Sequence, residues 1–186
     1  MTLLQNSSPI MNLLKKRAEH NFSYVRPFIE GDSILDIGAA EGWTGEMIKK
    51  SGKDRDVQLL DVDDFNQTSL PLTLYDGQTF PFKDNQFDTC LLLLILHHCD
   101  GPFRVLSEAA RVTRKRLIIT ESVYNFILGK ALLFMCDNMV NALRTNGKMA
   151  YGLKFLKTRV WESQFSKMGA SITHKKWIST SSGSNP

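Results

Sequence analysis

The amino-acid sequence predicts a doubly wound α/β fold, in which a mostly parallel β-sheet is flanked by helices in three αβα layers. Strand-like apolar segments alternate along the chain with segments of helical periodicity, which is the pattern of a parallel sheet with crossover helices. The longest apolar run, residues 91–96, has no polar alternation. Such a run is expected in a central strand that is covered on both faces.

The elements predicted in the first half are, in order, a helix at 10–29, a strand at 33–37, a helix at 43–50 and strands at 57–62 and 72–75. The first helix is expected to end near Pro27, and Ser51 and Gly52 close the second. Residues 63–75 contain Pro71 and have no helical periodicity, so a loop is expected where a crossover helix would normally lie.

The second half is predicted to contain strands at 89–96 and 116–121, helices at 103–113, 124–144 and 159–168, and a last strand at 171–178. The long helix carries one apolar stripe, formed by Leu128, Leu132, Met135, Met139 and Leu143. Gly147 and Gly169 follow the last two helices as expected caps. Residues 179–186 are expected to form a flexible tail. A chain of 186 residues is enough for a single domain, 1–186, and too short for two ordinary ones.

Composition excludes several classes of protein. Hydrophobic residues make up 42% of the chain and charged residues 23%, which excludes collagen-like and disordered chains. The net charge of +4 is too small for a dedicated nucleic-acid binder, so no nucleic-acid partner is expected. The three cysteines have no metal-ligand spacing and are expected to be reduced. No apolar run reaches the roughly 18 residues of a membrane span, and the N-terminal charges follow the apolar stretch, so a cytoplasmic location is expected.

Small or acidic residues follow each of the first three predicted strands. The turn after the first strand, Asp36 to Gly42, lacks the Gly-x-Gly-x-x-Gly spacing of dinucleotide sites but fits acidic-x-Gly-x-Gly-x-Gly with Ala40 as the exception. Asp61, with Asp63 in reserve, follows the second strand and can accept both hydroxyls of a ribose. Asp76 follows the third strand and can accept the exocyclic amine of adenine. Taken singly, each feature also fits a turn that binds no ligand.

The sequence as a whole resembles the class I S-adenosylmethionine-dependent methyltransferases, close to the methyltransferase type 11 group. The resemblance covers about Phe28 to Trp177 and rests on SILDIGAAEGWTGEMI, VQLLDVD, LYDGQTFPFKDNQFDTCLLLLILHHC, VLSEAARVTRKRLIITE and RVWESQFSKMGA. It implies a Rossmann-like fold that binds S-adenosyl-L-methionine and releases S-adenosyl-L-homocysteine.

The resemblance also implies roles for individual residues. The turn of Gly38, Ala39, Ala40 and Gly42 would hold the methionine part of the cofactor, with Asp36 supporting the turn and the amino group. Asp61 would bind the ribose, Val62 would pack on adenine, Asp76 with Gly77 would bind the adenine amine, and Leu94 would face the cofactor.

His97, His98 and Glu121 are the candidate catalytic bases, needed only if the acceptor must lose a proton. The alternative is that one histidine caps the next helix and the other packs structurally.

Three departures from the family pattern have consequences. Ala40 stands where the family usually has Gly, so weaker cofactor binding is expected. The helix between the second and third strands is missing. The family normally closes its sheet with a hairpin of two last strands, whereas only 171–178 is visible here, so an incomplete sheet edge or a truncated chain is expected.

The acceptor is expected to be a small molecule. Residues 122–147 are rich in Phe, Leu and Met and are interpreted as a lid over a lipophilic acceptor, with peripheral membrane contact as a further hypothesis. The alternative is a helix simply buried against the body. An RNA or protein methyltransferase is not supported, because Leu96-His97-His98-Cys99 stands where an Asn-Pro-Pro-Tyr motif would lie. A binding module that has lost turnover is the second hypothesis for the whole chain.

Overall fold

The computed structural model describes residues 9–124, 127–145 and 153–178. The expectations for Gly147 and for the tail at 179–186 lie outside the described residues. The helices are α1 (Pro9–Val25), α2 (Trp43–Lys50), α3 (Pro102–Val112), α4 (Ile127–Thr145) and α5 (Thr158–Lys167). The strands are β1 (Ser33–Ile37), β2 (Asp56–Asp61), β3 (Leu72–Leu74), β4 (Phe87–Leu93) and β5 (Thr113–Thr120), and 3₁₀ turns lie at Arg26–Phe28 and Leu96–His98.

The five strands form one sheet in the order β3-β2-β1-β4-β5, and every pairing is parallel. The chain runs outward from β1 through β2 to β3, and then returns to the other side of β1 as β4. The strand order therefore reverses between β1 and β4, and ligands bind at the carboxyl ends of the strands beside such a switch point. The predicted doubly wound α/β fold is confirmed.

Helices cover both faces of the sheet. On one face, Val25 of α1 and Ile48 of α2 pack on strand residues that include Leu91. On the other face, the buried side of α3 and Trp161 of α5 pack on strand residues that include Leu92. Successive residues of β4 thus enter opposite cores, which explains why this strand is apolar without alternation.

The connection from β2 to β3 is a loop, as the sequence predicts. Asn66 stabilises it, because its side-chain amide donates to the Leu70 carbonyl and its side-chain oxygen accepts from Thr68. Strand β4 ends at Leu93, earlier than the predicted end at residue 96. Leu94 takes a left-handed conformation with φ of 59°, and its amide donates to the Thr120 carbonyl. This change of direction starts the 3₁₀ turn that carries His97 and His98.

The predicted last strand at 171–178 is wrong. These residues are exposed and have no regular secondary structure, and side chains rather than a backbone ladder attach them to the body. Arg116 donates to the Thr173 hydroxyl at 2.5 Å, and the His174 ring lies 4.4 Å from the Phe28 ring. Ile172 and Trp177 are 50% and 59% exposed, so this segment has no buried face to support a strand. Within the described residues, β5 is therefore an edge of the sheet.

The basic residues before and within β5 form ion pairs with acidic residues. Arg111 pairs with Glu108 and Asp84, Arg114 and Lys115 pair with Asp88, and Arg116 pairs with Glu30. They lie at the amino end of β5, on the edge of the sheet opposite the glycine turn.

None of the helices in the described ranges is long and apolar enough to cross a membrane.

Candidate active site

A cleft lies at the carboxyl edge of the sheet, beside the switch point between β1 and β4. Its floor comes from the ends of β1, β2 and β4, and α1 covers one side. The lining residues are Leu14, Arg17, Ala18, Asn21, Asp36, Gly38, Ala39, Ala40, Glu41, Gly42, Trp43, Thr44, Asp61, Phe65, Leu93, Leu94, Ile95 and His98. Seven of the ten predicted cofactor residues lie here: Asp36, Gly38, Ala39, Ala40, Gly42, Asp61 and Leu94.

The turn after β1 depends on backbone conformations that favour glycine. Gly38 has φ of 67°, and a Cβ atom there would lie 2.4 Å from the Ile95 side chain, so no larger residue fits. Ala40 also has a positive φ, 55°, and its amide donates to Asp61 Oδ2 at 2.8 Å. The carboxylate at the end of β2 therefore stabilises the strained residue that departs from the family pattern.

Two buried carboxylates face each other in the cleft. Asp36 and Asp61 are 2% and 8% exposed. Burial, and then the charge of Asp61, raise the pKa of Asp36 to about 7, although the nearby Gly45 amide opposes the shift. Asp36 Oδ2 is buried and has no hydrogen-bond partner among the described residues. The cleft therefore favours a ligand that is positively charged or that donates hydrogen bonds.

Three predicted cofactor residues lie outside the cleft lining: Val62, Asp76 and Gly77. They are nevertheless close to one another, since a Cβ on Gly77 would lie 3.5 Å from Val62 Cγ1. Asp76 Oδ1 accepts from the amides of Gln78 and Thr79, and these two hydrogen bonds hold the pKa of Asp76 below its usual value. Its side chain is fully exposed.

A cluster of histidine and carboxylate side chains lies beside the cleft. His98 lines the cleft, and its Nε2 lies 3.2 Å from Asp137 Oδ2 on α4. His97 is 1% exposed, and its Nδ1 lies 2.8 Å from Glu121 Oε2. The other Glu121 oxygen accepts from the Leu96 amide at 2.8 Å, and the His97 ring stacks on Phe155 with centroids 4.7 Å apart.

Neighbouring charges control ionisation in this cluster. Burial alone would lower the pKa of His97, but Asp137 and Glu121 raise it to about 9. Burial opposes ionisation of Asp137, but His97, His98 and Arg17 together lower its pKa below the usual value. His97 is therefore an imidazolium between two carboxylates at neutral pH.

The three candidate catalytic residues have different positions. Only His98 faces the cleft, whereas His97 and Glu121 do not line it and act on the site by fixing the turn that carries His98. Sequence reasoning missed Asp137. The available signal was that Asp137 is the single acidic residue between 124 and 144.

Helix α4 is not simply buried against the body. Its stripe residues Leu128, Met135 and Met139 are 75%, 63% and 59% exposed, and Phe134 is 49% exposed. Asp137 points instead to the histidine cluster. The side chains of Leu132 and Leu143, also predicted on this stripe, lie outside the described residues.

Comparison with known proteins identifies the class to which this fold and cleft belong. Residues 35–119 match the family model for a methyltransferase domain, and the match contains the glycine turn, Asp61, Asp76 and both histidines. Over residues 35–119, which are a little less than half of the chain, the sequence matches the class I S-adenosylmethionine-dependent methyltransferases. The matching model is that of the methyltransferase type 11 group, so the resemblance noted in the sequence is confirmed.

Three similar proteins illustrate the range of the comparison. Over 100 residues the chain is 26% identical to the demethylmenaquinone methyltransferase of Renibacterium salmoninarum, a match that covers 50% of this chain and 42% of that protein. The chain thus matches less than half the length of this curated relative. A SAM-dependent methyltransferase from Thermotoga maritima matches with a TM-score of 0.61 at 18% identity, over 84% of this chain and 73% of that one. The [4+2]-cyclase SpnF matches with a TM-score of 0.60 at 16% identity, over 81% of this chain and 56% of that one.

Proposed function

We propose that the protein transfers a methyl group from S-adenosyl-L-methionine to a small, apolar acceptor by in-line displacement. The observation that carries the proposal is the cleft in which the glycine turn, Asp36 and Asp61 face one space at the carboxyl edge of the sheet. When bound, the cofactor supplies an electrophilic methyl group on its sulfonium. The protein then has to align the acceptor with that methyl and exclude water.

The residues of the cleft fit the cofactor in charge and hydrogen bonding. Asp36 Oδ2 would accept from the ammonium group, because it is buried and has no other hydrogen-bond partner among the described residues. Asp61 would accept from the ribose hydroxyls, since each carboxylate oxygen can accept more than the one backbone hydrogen bond that it already has. The two acidic side chains also favour a cofactor that carries a positive sulfonium.

The adenine would lie at the open end of the cleft. Val62 is 42% exposed and adjoins Gly77, so together they offer an apolar surface on which a flat base can pack. Asp76 would accept a hydrogen bond from the adenine amine, because its carboxylate can accept more than the two backbone hydrogen bonds that it already has.

The acceptor would meet the cofactor near His98, on the side of the cleft where α4 contributes Asp137. The exposed apolar side chains of α4 support a lipophilic acceptor, for which this helix is a lid or a membrane-contacting surface. The name of the curated relative, a demethylmenaquinone methyltransferase, supports the same choice.

The proposal is tested by incubating the protein with methyl-labelled cofactor and two panels of acceptors. One panel contains lipophilic molecules such as demethylmenaquinone, presented in detergent or in vesicles, and the other contains small water-soluble phenols and amines. We expect label to appear in the lipophilic panel. Transfer to the water-soluble panel alone would contradict the apolar acceptor, and absence of cofactor binding would contradict the whole proposal.

The second candidate function is a module that binds the cofactor without turnover. Ala40 in a left-handed conformation at the turn favours it, because its methyl group adds bulk beside the ligand. The cyclase SpnF has the same fold, so the fold alone does not define the reaction. Calorimetry with the cofactor followed by a search for transfer into cell extracts separates the two candidates.

Cofactor binding is expected to strengthen as pH rises through 7. Asp36 has a pKa of about 7 in the free protein, and a cationic ligand prefers its ionised form. From about pH 6 to about pH 8 the ionised fraction rises from about one tenth to about nine tenths, so the dissociation constant should fall about ninefold. Calorimetry at both pH values measures this.

The control for the pH dependence is Asp36→Asn, which removes the titrating group and nearly keeps its shape. Titration of the ligand's own amino group remains in Asp36→Asn, so the difference between the two proteins reports the titration at Asp36. We expect the ninefold difference to disappear in Asp36→Asn, and an equal pH dependence in both proteins would refute the assignment.

A further inference from the structure

We propose that His97, His98 and Asp137 bind a divalent transition-metal ion, for which Zn²⁺ is the reference. These residues adjoin the cleft but are not among those proposed to hold the cofactor. His97 and His98 come from the 3₁₀ turn after β4, and Asp137 comes from α4. The site therefore joins two separate elements beside the proposed acceptor position.

The ligand atoms of the three side chains have the spacing of a coordination site. His97 Nε2 lies 3.7 Å from Asp137 Oδ1, His98 Nε2 lies 3.2 Å from Asp137 Oδ2, and all ligand atoms lie within 4.8 Å of one another. A tetrahedral ion with bonds of about 2.0–2.2 Å separates its ligand atoms by roughly 3.4 Å. The observed distances bracket this value, so small side-chain rotations would bring the atoms onto one ion.

His97 is oriented as metal-bound histidines usually are. Its Nδ1 faces Glu121 Oε2 at 2.8 Å, which directs Nε2 toward Asp137. A carboxylate on the distal nitrogen fixes the tautomer and makes the other nitrogen a better ligand. Glu121 is itself held by the Leu96 amide, and Phe155 stacks on the imidazole, so the ring has little freedom.

An unpartnered buried atom points independently to a ligand. His97 Nε2 is fully buried in a side chain that is 1% exposed, and it has no hydrogen-bond partner among the described residues. Its 3.7 Å approach to Asp137 is too long for a hydrogen bond. A buried polar atom without a hydrogen bond is costly, and the 3.7 Å ion pair with Asp137 compensates only in part. An ion held jointly with His98 and Asp137 would satisfy the atom.

The chemistry of the donors selects the class of ion. Two imidazole nitrogens and one carboxylate suit Zn²⁺, Fe²⁺ or Co²⁺, whereas Mg²⁺ and Ca²⁺ prefer sites made only of oxygen. The carboxylates of Asp137 and Glu121 supply two negative charges, and Arg17 on α1 supplies one positive charge near Asp137. The His97 imidazolium balances the remaining negative charge in the metal-free protein, so the ion would bind with release of the His97 proton.

The ion would act on the acceptor side of the cleft, because His98 lines that cleft. A dication beside an acceptor hydroxyl lowers the pKa of that hydroxyl, so the hydroxyl would release its proton to solvent before methyl transfer and would need no general base of the protein. This role rests on the proposed methyl transfer, whereas the metal site itself does not.

The experiment is a titration of the chelator-stripped full-length chain with Zn²⁺ by calorimetry, and with Co²⁺ by its visible absorption. We expect one ion per chain and a Co²⁺ spectrum of low coordination number. His98→Ala and Asp137→Asn should each weaken Zn²⁺ binding at least about tenfold, and Glu121→Gln about 10–100-fold as an outer partner. Circular dichroism verifies that each variant is folded.

Matched controls exclude adventitious sites. His20→Ala and His174→Ala remove histidines that contact Tyr24 and Phe28 rather than the cluster, and should leave the affinity unchanged. Cys99→Ser removes the nearby thiol and should also leave it unchanged. Absence of stoichiometric binding, equal binding by His98→Ala, or loss of binding in Cys99→Ser would overturn the proposal. Cofactor calorimetry on the same samples reports separately on the methyl-transfer proposal.

Discussion

Replacing Glu121 by Ala is expected to destabilise the protein by about 3–5 kcal/mol at neutral pH. Glu121 is 6% exposed and pairs with the 1% exposed His97, and its other oxygen accepts from the Leu96 amide. Without Glu121, the buried His97 imidazolium pairs only with Asp137, which lies 3.7 Å away. The Leu96 amide also loses its hydrogen-bond acceptor. Urea unfolding in the presence of a chelator measures the change.

The pair of His97 and Glu121 also makes the stability of the folded protein depend on pH, and the direction of this dependence can be predicted. The pKa of His97 is raised from 6.5 to about 9 in the folded protein, so the folded state binds a proton more tightly than the unfolded state. The resulting stability is fully present below about pH 6.5 and is lost as pH rises through about 9. In Glu121→Ala this decline should become smaller, because one of the two carboxylates that raise the pKa is gone.

The control is Glu162→Ala, which removes an ion pair between the exposed side chains of Glu162 and Lys175. Surface pairs contribute little, so we expect a change within about 1 kcal/mol. If Glu121→Ala costs no more than Glu162→Ala, the buried pair does not have the structural role assigned to it.

Asp61→Ala is expected to weaken S-adenosylmethionine binding by about 1–3 kcal/mol, or roughly 5–150-fold. The substitution removes the carboxylate proposed to accept the ribose hydroxyls, and it leaves the amides of Ala40 and Val62 without their acceptor. Ala40 has a positive φ, so its turn would also lose the contact that fixes it. Calorimetry with the cofactor and its homocysteine product measures the loss.

Two variants distinguish the loss of the contact between Asp61 and the ribose from a change in the turn at Ala40. Asp63→Ala changes the exposed carboxylate that is next but one in sequence, and should leave the affinity unchanged. Asp61→Asn keeps one oxygen that can accept from Ala40, so it should lose less binding than Asp61→Ala. Equal binding by the wild type and Asp61→Ala, or a larger loss in Asp63→Ala, would contradict the assignment of the ribose site.

The sheet and the glycine turn were predictable because their signals are local. An uninterrupted apolar run identified β4, and Pro71 with missing periodicity identified the loop before β3. Because parallel strands end at one edge, three strand ends in sequence order located Asp36 and Asp61 in one cleft.

The C-terminal segment and the far side of the cleft were not predictable in this way. Residues 171–178 have strand propensity, but a strand also needs a partner edge and a buried face, which only tertiary packing supplies. The position of Asp137 depends on which face of α4 is turned toward the turn carrying His98. The apolar stripe suggested that the stripe would face inward, but its residues are exposed and Asp137 contacts His98. His97 and Glu121 lie at the predicted edge of the sheet, but both are buried and neither lines the cleft.

The most direct test of the central claim is a crystal structure of the protein grown with S-adenosyl-L-homocysteine. We expect the nucleoside across the ends of β1, β2 and β3, with its ribose hydroxyls on Asp61 and its amino-acid part against Gly38 and Asp36. Density for the nucleoside at another surface, with Asp36 and Asp61 in contact only with protein, would contradict the account.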